Sequence, residues 1–221
     1  MPLNLITVSD PRSPVAEAYR SLRTNLEFSS LDHPLRTLLL TSPGPEEGKS
    51  TTLANLAVTL AEAGRRVIVI DCDLRRPRQH DLFGVANGAG LTTLIRDEGA
   101  QASPPLQETE IAGLWVLPSG PLPPNPVELL ASQRMGQIIE RLKERADMLL
   151  FDAPPVVVVT DAAVLAGKVD GVLLVVNAGS TRRQLALRAK ELLERVNARL
   201  VGAVLTNVAL DSTLNTYYAR G

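Results

Sequence analysis

Four short runs in this chain are apolar almost without interruption: residues 67–71 (VIVID), 148–152 (MLLFD), 172–176 (VLLVV) and 200–206 (LVGAVLT). A strand with one face in water alternates apolar and polar residues, whereas a strand covered on both faces has no reason to alternate. These runs therefore predict strands of a mostly parallel sheet with helices on either side. A fifth apolar segment, 35–41, predicts another strand. Helical spacing fills the gaps. Residues 14–28 place Val15, Tyr19, Leu22 and Leu26 at three- and four-residue steps, and 49–63 stop at Gly64, a residue suited to a helix end. Further helices are predicted over 135–145 and 182–196. Alternation of this kind is the pattern of an α/β fold. The Pro-rich piece 118–126 and the loop 99–106 read as surface connections and not as domain linkers. At 221 residues, without internal repeats or low-complexity tracts, the expectation is a single domain over 1–221. Residues 1–30 carry its N-terminal helix and 208–221 form a short tail holding two tyrosines.

Composition narrows the function. A charge of -1, from 23 Lys and Arg against 24 Asp and Glu, argues against a dedicated nucleic-acid binder, and 3% aromatics against base stacking. The single cysteine, Cys72, excludes a disulfide framework and fits a reducing compartment. No apolar run nears the roughly 18–20 residues of a membrane span, and MPLNLITVSDP lacks the pattern of a secretory leader. The expectation is a soluble intracellular protein.

Residues 41–52 read TSPGPEEGKSTT between a predicted strand and a predicted helix. That is the context of the phosphate-binding loop G-x-x-x-x-G-K-[ST], in which backbone N–H groups and a helix N-terminus cradle an anion. Gly48 permits close backbone approach, Lys49 reaches the β- and γ-phosphates, and Ser50 offers a hydroxyl to Mg²⁺. Gly44, Pro45, Glu46, Glu47, Gly48, Lys49, Ser50 and Thr51 are the nucleotide-binding candidates. Pro43 stands where the strict pattern has its first glycine, with Gly44 following. The fold expected is thus an α/β P-loop NTPase-like domain.

Three acids end predicted strands. Asp152 closes MLLFD, where a carboxylate is placed to hold Mg²⁺. Asp71 and Asp73 end VIVIDCD two residues apart, so both side chains can leave one face of an extended chain. They are candidates for a metal contact and for accepting a proton from an incoming hydroxyl. The structural alternative for each is a helix cap or a turn. Ligands of open α/β sheets bind outside the carboxyl ends of strands, where all three fall.

Five blocks together resemble the bacterial protein-tyrosine kinases of capsule and exopolysaccharide synthesis, the cytoplasmic kinase partners or domains of polysaccharide co-polymerases. They are Glu17-x-x-Arg20-x-x-Arg23, the phosphate loop, VIVIDCDLRRPRQHDLF, the segment Gly120 to Leu130 within LPSGPLPPNPVELLASQRM, and LLFDAPPVVVVTDA with its Thr160-Asp161. The resemblance runs from about Ile6 to the end.

That resemblance implies an ATP- and Mg²⁺-dependent tyrosine autokinase. Lys49 and Ser50 would serve phosphates and metal, Asp152 the metal, and Asp71 and Asp73 the attacking phenol or the metal. The catalytic set is then Lys49, Asp71, Asp73 and Asp152, and the metal set Ser50, Asp71 and Asp152. Acceptors would be Tyr217 and Tyr218, phosphorylated between subunits of a ring held at Glu17, Arg20 and Arg23. The implied partners are a membrane co-polymerase segment, further copies of the chain and a phosphotyrosine phosphatase, with no nucleic acid. Its implied place is cytoplasmic, at the inner face of the plasma membrane through that partner.

The chain departs from the family at Glu46, often glycine there, which brings charge to the phosphates unless it turns outward. Thr206 or Asn207 stands where a base-contacting asparagine is expected. A switch ATPase of the septum-site or partition kind shares the sheet and motifs, but carries a second lysine where this chain has Gly44. A non-catalytic nucleotide-binding relative is the third reading. Among the remaining residues, Phe83 and Trp115 read as packing, His80 as a structural hydrogen-bonder, and the basic run from Arg182 to Arg199 as a solvated helix face.

Overall fold

Leu38, Leu39 and Leu40 sit in one strand yet serve two cores. The strand β1 (Thr37–Thr41) is buried along its whole length. Leu39 packs into one apolar layer, while Leu38 and Leu40 pack into the layer on the opposite face. Side chains alternate across a strand, so a continuous leucine run requires helices on both sides. The computed structural model describes residues 4–29, 33–97 and 103–208.

Around β1 lie β2 (Val67–Asp71), β3 (Gln107–Glu108), β4 (Leu114–Leu117), β5 (Met148–Asp152), β6 (Gly171–Asn177) and β7 (Leu200–Thr206). They form one sheet in the order β3-β4-β2-β5-β1-β6-β7. Every pairing is parallel except that of the two-residue β3 with β4. One face is covered by α1 (Ile6–Ser9), α2 (Pro14–Ser29), α3 (Lys49–Glu62) and α4 (Gln79–Phe83). The other carries α5 (Leu91–Arg96), α6 (Pro126–Ala131), α7 (Gln133–Lys143), α8 (Asp161–Ala166) and α9 (Arg183–Arg195). Residues 52–61 of α3 are buried on all sides, because α2 lies over the helix and the sheet under it.

The amino edge of the sheet is closed by charged clamps. Asp170 Oδ2 accepts the N–H groups of Arg36 and Thr37 at 2.9 and 2.8 Å, and Thr37 Oγ1 accepts the Asp170 N–H at 2.7 Å. Asp147 pairs with Arg66 at 2.8 Å, joining the starts of β2 and β5. The carboxyl edge is open, and the register sets Asp152 beside both Asp71 and Leu40 there.

The strands at 67–71, 148–152 and 200–206 have the predicted bounds. Other expectations need correction. The first strand starts at Thr37 and not at residue 35. The N-terminal helical region is two helices, α1 and α2, and on α2 Val15 is exposed while Ala16 takes the buried position. Among the described residues β7 is an edge strand paired only with β6, with Leu205 61% exposed, because an apolar run does not distinguish an edge from a centre. Pro118, Ser119 and Gly120 are buried: the carbonyls of Pro118 and Ser119 accept N–H groups from the first turn of α5 at 2.8 and 2.9 Å. Only the latter part of that Pro-rich piece is the expected surface connection. The strand β4 and the helices α4, α5, α6 and α8 were not predicted; each is six residues or fewer, too short for periodicity to stand out.

Candidate nucleotide site

The loop between β1 and α3 is braced from within by its own glutamate. Glu47 is buried, and its Oε1 accepts the Gly44 N–H at 2.7 Å while Oε2 accepts the Asn177 N–H at 3.1 Å. Its backbone carbonyl accepts the Thr206 hydroxyl at 2.8 Å. Ser42 Oγ donates to the Gly44 carbonyl at 2.7 Å, and Thr41 Oγ1 to that of Pro154 at 2.8 Å. The loop is therefore tied to the ends of β5, β6 and β7. Gly48 takes φ 84°, a left-handed conformation suited to glycine, and its carbonyl receives the first α3 bond from Thr52 at 2.8 Å. First-turn N–H groups of a helix have no partner within it and favour an anion. Glu46, at φ 59°, is exposed on the rim of the cleft.

Lys49 meets both strand-end acids. Its Nζ lies 3.0 Å from Asp73 Oδ2, 3.3 Å from Asp152 Oδ1 and 3.1 Å from Ser50 Oγ. Burial pulls the ammonium toward neutrality, but the charges of Asp152 and Asp73 outweigh it and hold its pKa above the ordinary lysine value. Asp71 takes a different position. It is fully buried, its Oδ2 accepting the N–H groups of Arg78 and Gln79 at 2.9 Å each, and its Oδ1 that of Asp73 at 3.2 Å. Burial first, and the Asp152 charge second, push its pKa up to about 8. Asp71 thus makes the cap-like contacts of the structural alternative, and Asp73 alone of the pair reaches Lys49.

A cleft of about 250 Å³ opens in front of these groups, lined by the loop from Pro45 to Thr51 and, across from it, by Asp73, Arg76 and Arg78. Arg75 turns away and grips the buried Asp161 with Nε and Nη2 at 3.1 and 3.2 Å. The donor set suits a hard cation: Ser50 Oγ and the carboxylates of Asp152 and Asp73 all offer oxygen. Among the described residues no three His, Cys, Asp or Glu side chains form a closed metal cage.

Other predicted residues fall elsewhere. Glu17 Oε2 and Arg20 Nη1 pair at 3.1 Å on the outer part of α2, and Arg20 Nη2 also donates to the Pro11 carbonyl at 2.7 Å. Arg23 is turned inward, donating to the Thr59 carbonyl of α3 at 2.9 Å. Tyr217 and Tyr218 lie outside the described residues. Phe83 is buried and Trp115 packs against the core, as expected. His80 Nε2 lies 3.4 Å from Asp81 Oδ1, while its Nδ1 is buried without a partner among the described residues. Sequence reasoning missed Gln79, whose Nε2 donates to Asp152 Oδ2 at 2.8 Å and to the Ser50 carbonyl at 3.2 Å. No local pattern marks it.

Among the described residues no helix is long and apolar enough to cross a membrane. The family model for the CobQ/CobB/MinD/ParA nucleotide binding domain matches residues 38–219. Tyrosine-protein kinase YwqD of Bacillus subtilis is 40% identical over 211 residues, covering 96% of this chain and 89% of its own. The chimerical protein CapA2B2 superposes with a TM-score of 0.87 at 36% identity, over 93% of this chain and 90% of its own. The kinase domain of the Escherichia coli tyrosine kinase ETK superposes with a TM-score of 0.88 at 33% identity, over 95% and 82% of the two chains. The chain therefore belongs to the bacterial tyrosine-protein kinases built on the CobQ/CobB/MinD/ParA nucleotide binding domain.

Proposed function

We propose that this chain transfers the γ-phosphoryl group of ATP to tyrosines of its own C-terminal segment, Tyr217 and Tyr218, between neighbouring copies, in the control of capsule or exopolysaccharide synthesis. The observation that carries this reading is one cation, Lys49, held 3.0 and 3.3 Å from Asp73 and Asp152 at the mouth of the phosphate loop. A switch ATPase of the partition kind would need a lysine at position 44, where this chain has Gly44.

When bound, Mg²⁺ would supply positive charge to offset what builds on the phosphates. Ser50 Oγ and Asp152 are the residues to hold it, while the first-turn N–H groups of α3 and the side chains of Arg76 and Arg78 neutralise the phosphates. Lys49 exchanges its carboxylate partners for phosphate oxygens, which frees Asp73. A phenol has a pKa near 10, so the acceptor hydroxyl needs a base, and the freed Asp73 carboxylate takes its proton. The phenolic oxygen forms its bond to the γ-phosphorus as the bond to the β–γ bridging oxygen breaks, and ADP leaves. Asp71 contributes from behind, holding the turn that presents Asp73.

Glu17 and Arg20 on α2 are assigned to the contact between copies, a ring in this reading, with Arg23 bracing α2 against α3 behind them, residues 1–221 acting as one kinase domain and 208–221 as its substrate tail. A cytoplasmic segment of a membrane co-polymerase activates the kinase and holds it at the inner membrane face, and a phosphotyrosine phosphatase reverses the reaction. The test is incubation with Mg-ATP, with and without a co-polymerase segment, followed by mass-spectrometric mapping of phosphotyrosine. Phosphate on Tyr217 or Tyr218 that vanishes in Lys49→Met supports the proposal. ATP turnover without phosphotyrosine, even with the segment present, overturns it.

A further inference from the structure

Gln79 is fully buried at the first position of α4, eight residues beyond Asp71, whose carboxylate holds its backbone N–H at 2.9 Å. Its side-chain Nε2 bridges two groups from different parts of the chain: Asp152 Oδ2 at 2.8 Å and the Ser50 carbonyl at 3.2 Å. Both partners are acceptors, so the amide has only one orientation that avoids setting oxygen against oxygen. In that orientation Oε1 is buried without a donor among the described residues. A buried acceptor left unpaired is unfavourable, and here it sits on a side chain that touches both Asp152 and the Ser50 backbone.

We propose that Gln79 is a positioning residue for the divalent-cation site, fixing the Asp152 carboxylate and the Ser50 turn in one geometry. The inference rests on reading Ser50 and Asp152 as the residues that hold Mg²⁺. A donor on Oδ2 leaves Oδ1, the oxygen now facing Lys49, as the one presented to the cation. The same amide spans the end of β5 and the start of α3, tying the Asp152 carboxylate to the Ser50 backbone, a link that persists when Lys49 turns to phosphate. Oε1 remains an acceptor for solvent or a ligand of the site. Asp71 then acts at one further remove, by holding the Gln79 backbone.

Partners of metal ligands, when removed, typically lower metal affinity by about 10–100-fold. The test is titration of a fluorescent ADP onto the full chain over a range of Mg²⁺ concentrations, in a double-mutant cycle of Gln79→Met and Asp152→Asn. Gln79→Met alone is expected to raise the half-saturating Mg²⁺ concentration about 10–100-fold, while leaving the affinity for ADP in EDTA unchanged. In the Asp152→Asn background the same substitution is expected to add less than about twofold, since residues acting as one unit are not additive. Gln79→Asn keeps the amide but falls a methylene short, and repeating the cycle with it guards against a misfolded Gln79→Met protein. A folded Gln79 variant with unchanged Mg²⁺ dependence, or full additivity with Asp152→Asn, overturns the inference alone. Equal loss of ADP affinity with and without Mg²⁺ also overturns it, because the loop itself has then collapsed. An unmodified chain that binds ADP with no Mg²⁺ dependence overturns the metal reading and the inference together.

Discussion

Glu47 accepts the backbone N–H of Asn177 at 3.1 Å, joining the phosphate loop to the end of a strand 130 residues away. The other carboxylate oxygen holds Gly44 at 2.7 Å. The loop's shape is thus set before any nucleotide arrives. Glu47→Ala leaves two buried N–H groups without acceptors, a loss of about 2–6 kcal/mol at roughly 1–3 per group. The expected result is a thermal midpoint lower by several degrees together with weaker nucleotide binding. Glu47→Gln, which keeps one acceptor oxygen, should recover about half of both losses.

Glu46 takes φ 59° on the exposed rim of the cleft. A left-handed conformation costs a residue with a side chain about 1–2 kcal/mol, and glycine escapes that cost. Replacing Glu46 by glycine should therefore raise stability by up to about 1 kcal/mol, after the greater chain entropy of glycine is set against the relief. It also removes a negative charge from the phosphate cleft, so ADP should bind more tightly, and most visibly at low salt. Unfolding curves and nucleotide titrations at two ionic strengths check both halves.

The hydrogen bonds from the Arg66 side chain, and then that from its backbone N–H, hold the Asp147 carboxyl down to about 2. A carboxyl whose pKa is lower folded than unfolded stabilises the fold above its unfolded value of about 3.9 and loses that contribution as pH falls. The stability difference between the unmodified chain and Asp147→Asn should accordingly be full at pH 5 and vanish between about pH 4 and 2. The pair is exposed, so the difference at neutral pH should stay within about 1 kcal/mol. Urea unfolding across that range reads it directly.

Arg20 and Arg23 should separate in their effects. Arg23 donates to the Thr59 carbonyl, so Arg23→Ala is expected to loosen α2 from α3 and cost about 1–3 kcal/mol in a single copy. Arg20 pairs on the surface with Glu17, and Arg20→Ala should cost the isolated chain no more than about 1 kcal/mol. If α2 carries the contact between copies, Arg20→Ala shrinks the oligomer seen by light scattering while leaving the thermal midpoint nearly unchanged. An oligomer of unaltered mass would remove α2 from the assembly role.

Much of the framework was legible from local pattern. The runs VIVID and MLLFD announce buried parallel strands because both of their faces are covered, and the GKST step marks the loop-to-helix turn after β1. Lys49, Asp73 and Asp152 were all found that way, and they do meet. Asp71 was found too, but its orientation was not legible: one residue of extended chain separates it from Asp73, yet the strand ends at Asp71 and the turn directs its carboxylate to α4.

By itself the sequence determined which segments become strands and helices of the main layers, and where along the chain phosphate chemistry belongs. Those properties depend on neighbours within a turn of helix or a few residues of strand. Only the tertiary structure decided the strand order, the edge position of β7, the inward turn of Arg23, and the two braces at Glu47 and Gln79. Each of these joins residues far apart in the chain, as Gln79 and Asp152 are by 73 positions. A buried carboxylate or amide has no local periodicity to betray it; its partner is chosen by whichever backbone or side-chain group the packed sheet brings within hydrogen-bonding distance.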